Sequence, residues 1–306
     1  MRGLLILALA GLFAALSPGK GQAEEVFRDY LGLELSANLV TVPGKSLKSE
    51  GVVLLVHDTL GHGRMELMAA LQDDFRDLGL NSLSITLGLG LDKRHGMFNC
   101  SLEQDHRHED AIDEIAGWVQ WLKEKGATMV IVAGHGRGAN QVALYAINRL
   151  DKVVKRVVLM APLMQTEEKA EAEYRARFGK PLRPELAKAE ELVANEEGNH
   201  LVNVPGFLNC EHARVTAGAF ADYYGANAKF KTTNLMQSIR LPVLIAVGDA
   251  DPNLGGIKAD ETEFAALKNV TLAVIPGADQ DFRDLAADEL AKKIKEFIAH
   301  KVVSTL

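Results

Sequence analysis

Gly134-His135-Gly136-Arg137-Gly138 follows the apolar run Met129 to Ala133 and opens a stretch of helical periodicity from about Gly138 to Asn148. Strand, sharp turn and helix, in that order, is the setting in which a G-x-S-x-G turn lifts a nucleophile above the end of a sheet. The flanking glycines let the strained backbone close. The nucleophile position here is Gly136, which offers no side chain. A dinucleotide loop would need the longer G-x-G-x-x-G spacing and an acid on a following strand, so no cofactor is expected.

Other residues could carry chemistry. Asp251, in Gly248-Asp249-Ala250-Asp251-Pro252, could orient an imidazole or simply hold its own turn. Asp105-His106-Arg107-His108 offers zinc-type donors. The adjoining His108-Glu109-Asp110 reads better as a helix N-terminus with acids favoured by the dipole, so no metal is expected. His62, His106 and His108 are expected on the rim of a pocket at the C-terminal edge of a sheet, and His135 as a buried structural histidine. Thr59, Thr86 and Ser101, with His62 or His106 as base, are the groups from which a rearranged hydrolytic site could be built. In an oxidising compartment Cys100 and Cys210 are expected to pair, closing a loop worth about 4–5 kcal/mol in the chain-entropy model.

The elements that would position these residues alternate along the chain. Val52 to Val56 reads as a buried strand, Met68, Leu71, Phe75 and Leu78 recur at helix spacing, and Ser82 to Leu87 is a second strand candidate. Ile112, Ile115, Ala116, Val119 and Leu122 predict a long amphipathic helix, and Val157 to Met160 a further strand. The alternation predicts an α/β fold, a mostly parallel doubly wound sheet. It breaks after Pro162, where Glu, Lys, Ala and Arg dominate, and resumes at Pro242 to Gly248, Thr271 to Ile275 and a helix near Leu285 to Ala299. The expected organisation is a core of residues 24–163 and 237–306 with a helical cap inserted at 164–236.

These motifs together resemble the α/β-hydrolase superfamily, and within it exported bacterial α/β-hydrolase-like proteins. The resemblance runs through His57-Asp58-Thr59-Leu60-Gly61-His62-Gly63, Ile85-Thr86-Leu87-Gly88-Leu89-Gly90, His108-Glu109-Asp110, the turn at 134–138, the Gly-Asp-x-Asp turn and Gly277-Ala278-Asp279-Gln280-Asp281-Phe282. It implies an α/β-hydrolase-like sheet with the nucleophile position at Gly136, the triad acid at Asp251 and the triad histidine at Gln280. Two of three triad positions therefore lack the necessary chemistry, because glycine has no oxygen and an amide is no base near neutral pH. The resemblance also implies that backbone N–H groups of Arg137 and of Asp58 or Thr59 converge as an oxyanion-type pocket.

The 306 residues are 47% hydrophobic, 25% charged and 6% aromatic with a net charge of −7, which excludes disorder and leaves no basic face for nucleic acid. Arg2, the apolar run Leu4 to Leu16 and Gly21-Gln22-Ala23 read as a signal peptide, residues 1–23, too short to span a bilayer. The mature chain is expected to be periplasmic or secreted and free of the membrane. The functional expectation is a non-hydrolytic small-ligand-binding or accessory protein. Its partner would be a small carbonyl- or carboxylate-bearing ligand or another exported protein. The alternatives are an ester or amide hydrolase with a rearranged site, and a scaffold subunit of an exported enzyme.

Overall fold

The computed structural model describes residues 22–300; the expected signal peptide lies outside the described residues except for Gln22 and Ala23, which begin the first strand. An N-terminal hairpin, β1 (Gln22–Tyr30) and β2 (Leu33–Thr41), precedes a short helix α1 (Leu47–Glu50). The alternating core follows as β3 (Val52–Val56), α2 (Glu66–Asp77), β4 (Asn81–Ile85), α3 (Asp110–Glu124), β5 (Val130–His135), α4 (Arg137–Asn148) and β6 (Val154–Met160). After an insertion it resumes with β9 (Val243–Gly248), α8 (Leu254–Ala259), α9 (Glu261–Phe264), β10 (Val270–Ile275) and α10 (Leu285–Ala299).

The main sheet has eight strands in the order β1-β2-β4-β3-β5-β6-β9-β10. All neighbours from β4 onward are parallel, and β1 and β2 extend one edge in antiparallel pairing. Strands β3, β5 and β9 are buried along their whole length, which is why they read as continuous apolar runs. Their side chains still alternate between two cores. Leu54, Val132, Leu159 and Ile245 pack with Ile115 and Trp118 of α3 and Val142 of α4. Leu55, Ile131, Val158 and Leu244 pack on the opposite face with Met68 and Phe75 of α2 and Leu290 and Ile294 of α10. Such double covering fixes the C-terminal ends of the strands, where the loops after β3, β5 and β9 meet.

The expectation of a helical cap is corrected in one respect. The insertion holds α5 (Glu167–Phe178), α6 (Arg183–Ala194) and α7 (Ala217–Tyr224), and also an antiparallel hairpin, β7 (Leu201–Phe207) and β8 (Cys210–Thr216). Val204 and Phe207 of β7 and Cys210, Ala213 and Val215 of β8 are buried. Their inner face packs on Tyr174, Phe220 and Tyr224 in a third apolar cluster. The Cys100–Cys210 disulfide is formed, with Cα atoms 5.3 Å apart, and ties the start of β8 to the loop between β4 and α3. Among the described residues no helix is long and apolar enough to cross a membrane.

Candidate functional site

The turn between β5 and α4 has the geometry of a nucleophile elbow. Gly136 sits at φ +56°, ψ −118°, a conformation that strains any residue with a Cβ. A Cβ on Gly134 would run into the backbone of Gly138, and one on Gly138 into the carbonyls of Val56 and His57, so these two glycines let strand and helix cross closely. The elbow is intact at every position except the one that would react.

The space above Gly136 is filled from elsewhere. A Cβ built on Gly136 falls on the carboxylate of Asp58, from the loop after β3. Asp58 Oδ1 accepts the backbone N–H of Arg137 at 2.6 Å and the hydroxyl of Thr59 at 3.1 Å. Arg137 N is the donor that the oxyanion-type pocket was expected to offer to a ligand. That expectation is corrected: the carboxylate of Asp58 takes this N–H itself. Gly136, the N-cap of α4, supplies no capping side chain, so Asp58 serves as a remote cap where the helix dipole favours an anion. Burial pushes the Asp58 carboxyl up, but His135, the N–H groups of Arg137 and Thr59 and the Arg137 guanidinium outweigh it and hold the group below the usual carboxylate range.

Asp251, the residue expected as the acid, lies in the loop after β9. It is buried, Oδ1 accepts the N–H of Asn253 at 2.7 Å, and Oδ2 has no partner among the described residues. Burial raises its pKa despite that hydrogen bond. No side chain among the described residues, Gln280 included, bonds that second oxygen. His135 is buried, and its Nε2–H donates to the Gln280 carbonyl at 2.8 Å, so it pins the turn from below as a structural histidine.

The expected rim histidines are not on the rim. His106 is 2% exposed and bonds through Nδ1 to the Tyr223 hydroxyl at 3.0 Å, among Phe98 and Phe207. His108 is fully buried, its Nε2–H donating to Asn140 Oδ1 at 2.8 Å, edge-on to Tyr223 and Phe230. Both anchor the insertion to the core, because α7 lies directly over the loop that precedes α3. His62 accepts the N–H of Arg64 at Nδ1, away from the cavity described below. Nor does a rearranged nucleophile assemble: Thr86 accepts Gly63 N–H inside the core, Ser101 is exposed, and Thr59 Oγ1 lies between Asp58 and Arg137 Nε. Among the described residues no group of three or more His, Cys, Asp or Glu is arranged to hold a metal ion.

A cavity of about 640 Å³ lies above Asp58 and Gly136, roofed by α5 and the β7–β8 turn. Sequence reasoning missed its cations. Arg137 is 8% exposed, lies 5.2 Å over the Tyr223 ring, and donates to Thr59 and Gln165. Lys169 donates to Asn253, and Arg177 to the Leu208 carbonyl at 3.1 Å and to Asn209. The Glu-Lys-Ala-Arg richness of α5 resembles an ordinary solvated helix, so nothing in its spacing singles out Lys169 and Arg177.

Neutral buried histidines give a pH dependence. Burial pushes His57 and His106 down to about 3, and His108 well below its ordinary value. Between pH 6.5 and about 3 the unfolded chain therefore binds more protons at these sites than the folded one, and stability falls as pH falls. Glu114, raised to about 7 by burial, acts oppositely between about 4.5 and 7. Three histidines outweigh one glutamate. Unfolding free energies from urea titrations are expected to drop from pH 6.5 toward 3, by on the order of several kcal/mol in all; a flat profile would contradict these placements.

No protein-family model matches the chain, and no curated protein matches it in sequence. Solved structures match its fold across most of its length. Est1E from Butyrivibrio proteoclasticus, in a structure described as having ferulic acid bound, is 20% identical, with 89% of this chain and 97% of that one covered and a TM-score of 0.64. The α/β hydrolase GrgF from Penicillium sp. sh18 is 14% identical over 90% and 98% of the two chains, TM-score 0.64. The Pyrococcus furiosus esterase Pf2001 is 16% identical over 91% and 90%, TM-score 0.57. The chain has the α/β-hydrolase fold.

Proposed function

We propose that this chain is a non-hydrolytic, ligand-binding form of the α/β-hydrolase fold, working outside the cytoplasm. One observation carries the reading: the carboxylate of Asp58 stands where a nucleophile's side chain would stand and bonds the N–H that would stabilise an oxyanion. Acyl transfer needs both places free. The cavity above them is retained, with cations and aromatic walls, which supports binding. The disulfide supports an oxidising compartment. A carboxylate-bearing ligand is still accommodated, but at the cations of α5 and not in the oxyanion-type pocket, where it would meet Asp58.

The test is a fluorophosphonate applied to the purified chain and followed by intact mass. The expected result is no adduct. A stoichiometric adduct on Thr59, Thr86 or Ser101 would overturn the proposal and favour a rearranged hydrolase.

A further inference from the structure

Three cations line the cavity above Asp58, and their hydrogen bonds decide which of them is free for a ligand. Lys169 is seated on Asn253 and lies 3.8 Å from Glu173, so a carboxylate of the chain already shares its charge. Arg137 is more than nine-tenths buried against Tyr223, with Nε on Thr59 and Nη2 on Gln165. Arg177 differs from both. Among the described residues it pairs with no carboxylate, and only Nη1 is engaged, on the Leu208 carbonyl and Asn209 Oδ1. Those two contacts fix the guanidinium and leave its Nε–Nη2 edge unspent, the planar fork that a carboxylate fills with two parallel hydrogen bonds.

The same contacts join this fork to the floor. Asn209 Nδ2–H donates to the Thr59 carbonyl at 3.5 Å, and the Thr59 hydroxyl donates to Asp58 Oδ1 at 3.1 Å. Arg177 and Asp58 are therefore neighbours through Asn209 and Thr59. Asp58 spends Oδ1 on Arg137 N–H and Thr59, whereas Oδ2 accepts from no described residue and is not sealed in the interior. A plain carboxylate on Arg177 would bring a second anion toward that oxygen and supply it with no donor. A hydroxyl borne beside the carboxylate corrects this, because its proton goes to Oδ2.

The rest of the lining suits further hydroxyls. The side-chain amide of Gln280 makes no hydrogen bond among the described residues and offers both a donor and an acceptor, and Asn253 keeps its NH₂. Tyr174 and Phe178, with ring centroids 4.7 Å apart, give an apolar wall for the C–H face of a ring. A volume of about 640 Å³ lies within the usual range of small-molecule sites.

From this arrangement we infer that the cavity binds a sugar acid, its carboxylate on the Arg177 fork and a neighbouring hydroxyl donating to Asp58 Oδ2. The inference rests on the binding reading above and names the ligand class of the same site. No bond is made or broken.

Calorimetry on the full purified chain tests it with glucuronate and galacturonate, their neutral parents glucose and galactose, and cyclohexanecarboxylate. At least one hexuronate is expected to bind. Its neutral parent, which lacks the carboxylate, and cyclohexanecarboxylate, which lacks the hydroxyls, are each expected to bind about tenfold more weakly or worse. Arg177→Gln is expected to erase the preference over the neutral sugar and to keep that over cyclohexanecarboxylate. Asp58→Asn is expected to do the reverse. Arg177 is exposed, and Asn at 58 retains an acceptor for Arg137 N–H. Folding is checked by circular dichroism, and because preferences are compared within each variant, the test survives a modest stability loss. Equal binding of a hexuronate and its neutral parent, equal binding of a hexuronate and cyclohexanecarboxylate, or no heat with either hexuronate at millimolar concentration would overturn the sugar-acid assignment. None of these results touches the absence of hydrolysis, which is read separately by fluorophosphonate labelling.

Discussion

A chain carrying Asp58→Gly, Gly136→Ser and Gln280→His together is expected to hydrolyse short activated esters, whereas Gly136→Ser/Gln280→His alone stays silent. The reason is steric and electrostatic at once. A Cβ at 136 falls on the Asp58 carboxylate, and the Arg137 N–H that should meet an oxyanion is bonded to the same carboxylate at 2.6 Å. Removing Asp58 frees both places, and Oδ2 of Asp251 has no partner among the described residues to compete for an imidazole introduced at 280. One oxyanion donor is worth about 10²–10³ in rate, so the triple variant should exceed the double by at least that factor. The stability pattern should agree. Gly136→Ser alone should cost about 1–3 kcal/mol from its backbone conformation, plus the clash. It should cost less in the Asp58→Gly background, a coupling that a double-mutant cycle in urea reads directly. Equal activity of double and triple variants would show that Asp58 does not block the site.

The second large effect is on stability. Cys100→Ser/Cys210→Ser is expected to lose about 2–5 kcal/mol, because the bond closes a loop spanning 110 positions. The loss should concentrate in the insertion. Cys210 opens β8 next to the turn residues Leu208 and Asn209, which roof the cavity and hold Arg177. Hydrogen exchange should therefore rise first at the β7–β8 hairpin, with the β3–β5–β6 core protected. An unfolding free energy within about 0.5 kcal/mol of the parent, at the usual scale of surface substitutions, would show that the hairpin is held by its apolar face alone.

Much of the framework could be read in the sequence because burial leaves a pattern. Val52–Val56 is apolar at every position since helices cover both faces, and Leu285–Ala299 repeats its apolar residues at helix spacing because one stripe packs on the sheet. The N-terminal hairpin escaped because β1 is an edge strand with few inward residues; Val26 is buried while Phe27 is exposed and charges surround both. The cap hairpin escaped for a similar reason, its two-residue alternation interrupted by Pro205, Gly206 and the turn at Leu208-Asn209.

The candidate site divides in the same way. Backbone features were legible, since a turn that needs Gly136 announces itself by the glycines around it. What fills the vacated space was not, because Asp58 reaches Arg137 across 79 positions and its side chain lay outside the reasoning, which used only its N–H. The one available signal was a carboxylate beside an expected anion pocket. His106 and His108 were misplaced because loop position does not report that α7 buries the loop.

Turnover by the parent chain tests the central claim most directly. The purified protein is assayed against p-nitrophenyl acetate, butyrate and octanoate at high protein concentration, beside its Asp58→Asn variant. With Asp58 in the nucleophile's place and on the oxyanion donor, release of p-nitrophenol should not exceed background for either protein. Turnover that scales with parent concentration and falls in Asp58→Asn would contradict the account, making Asp58 a working group and not an occupant of a silent site.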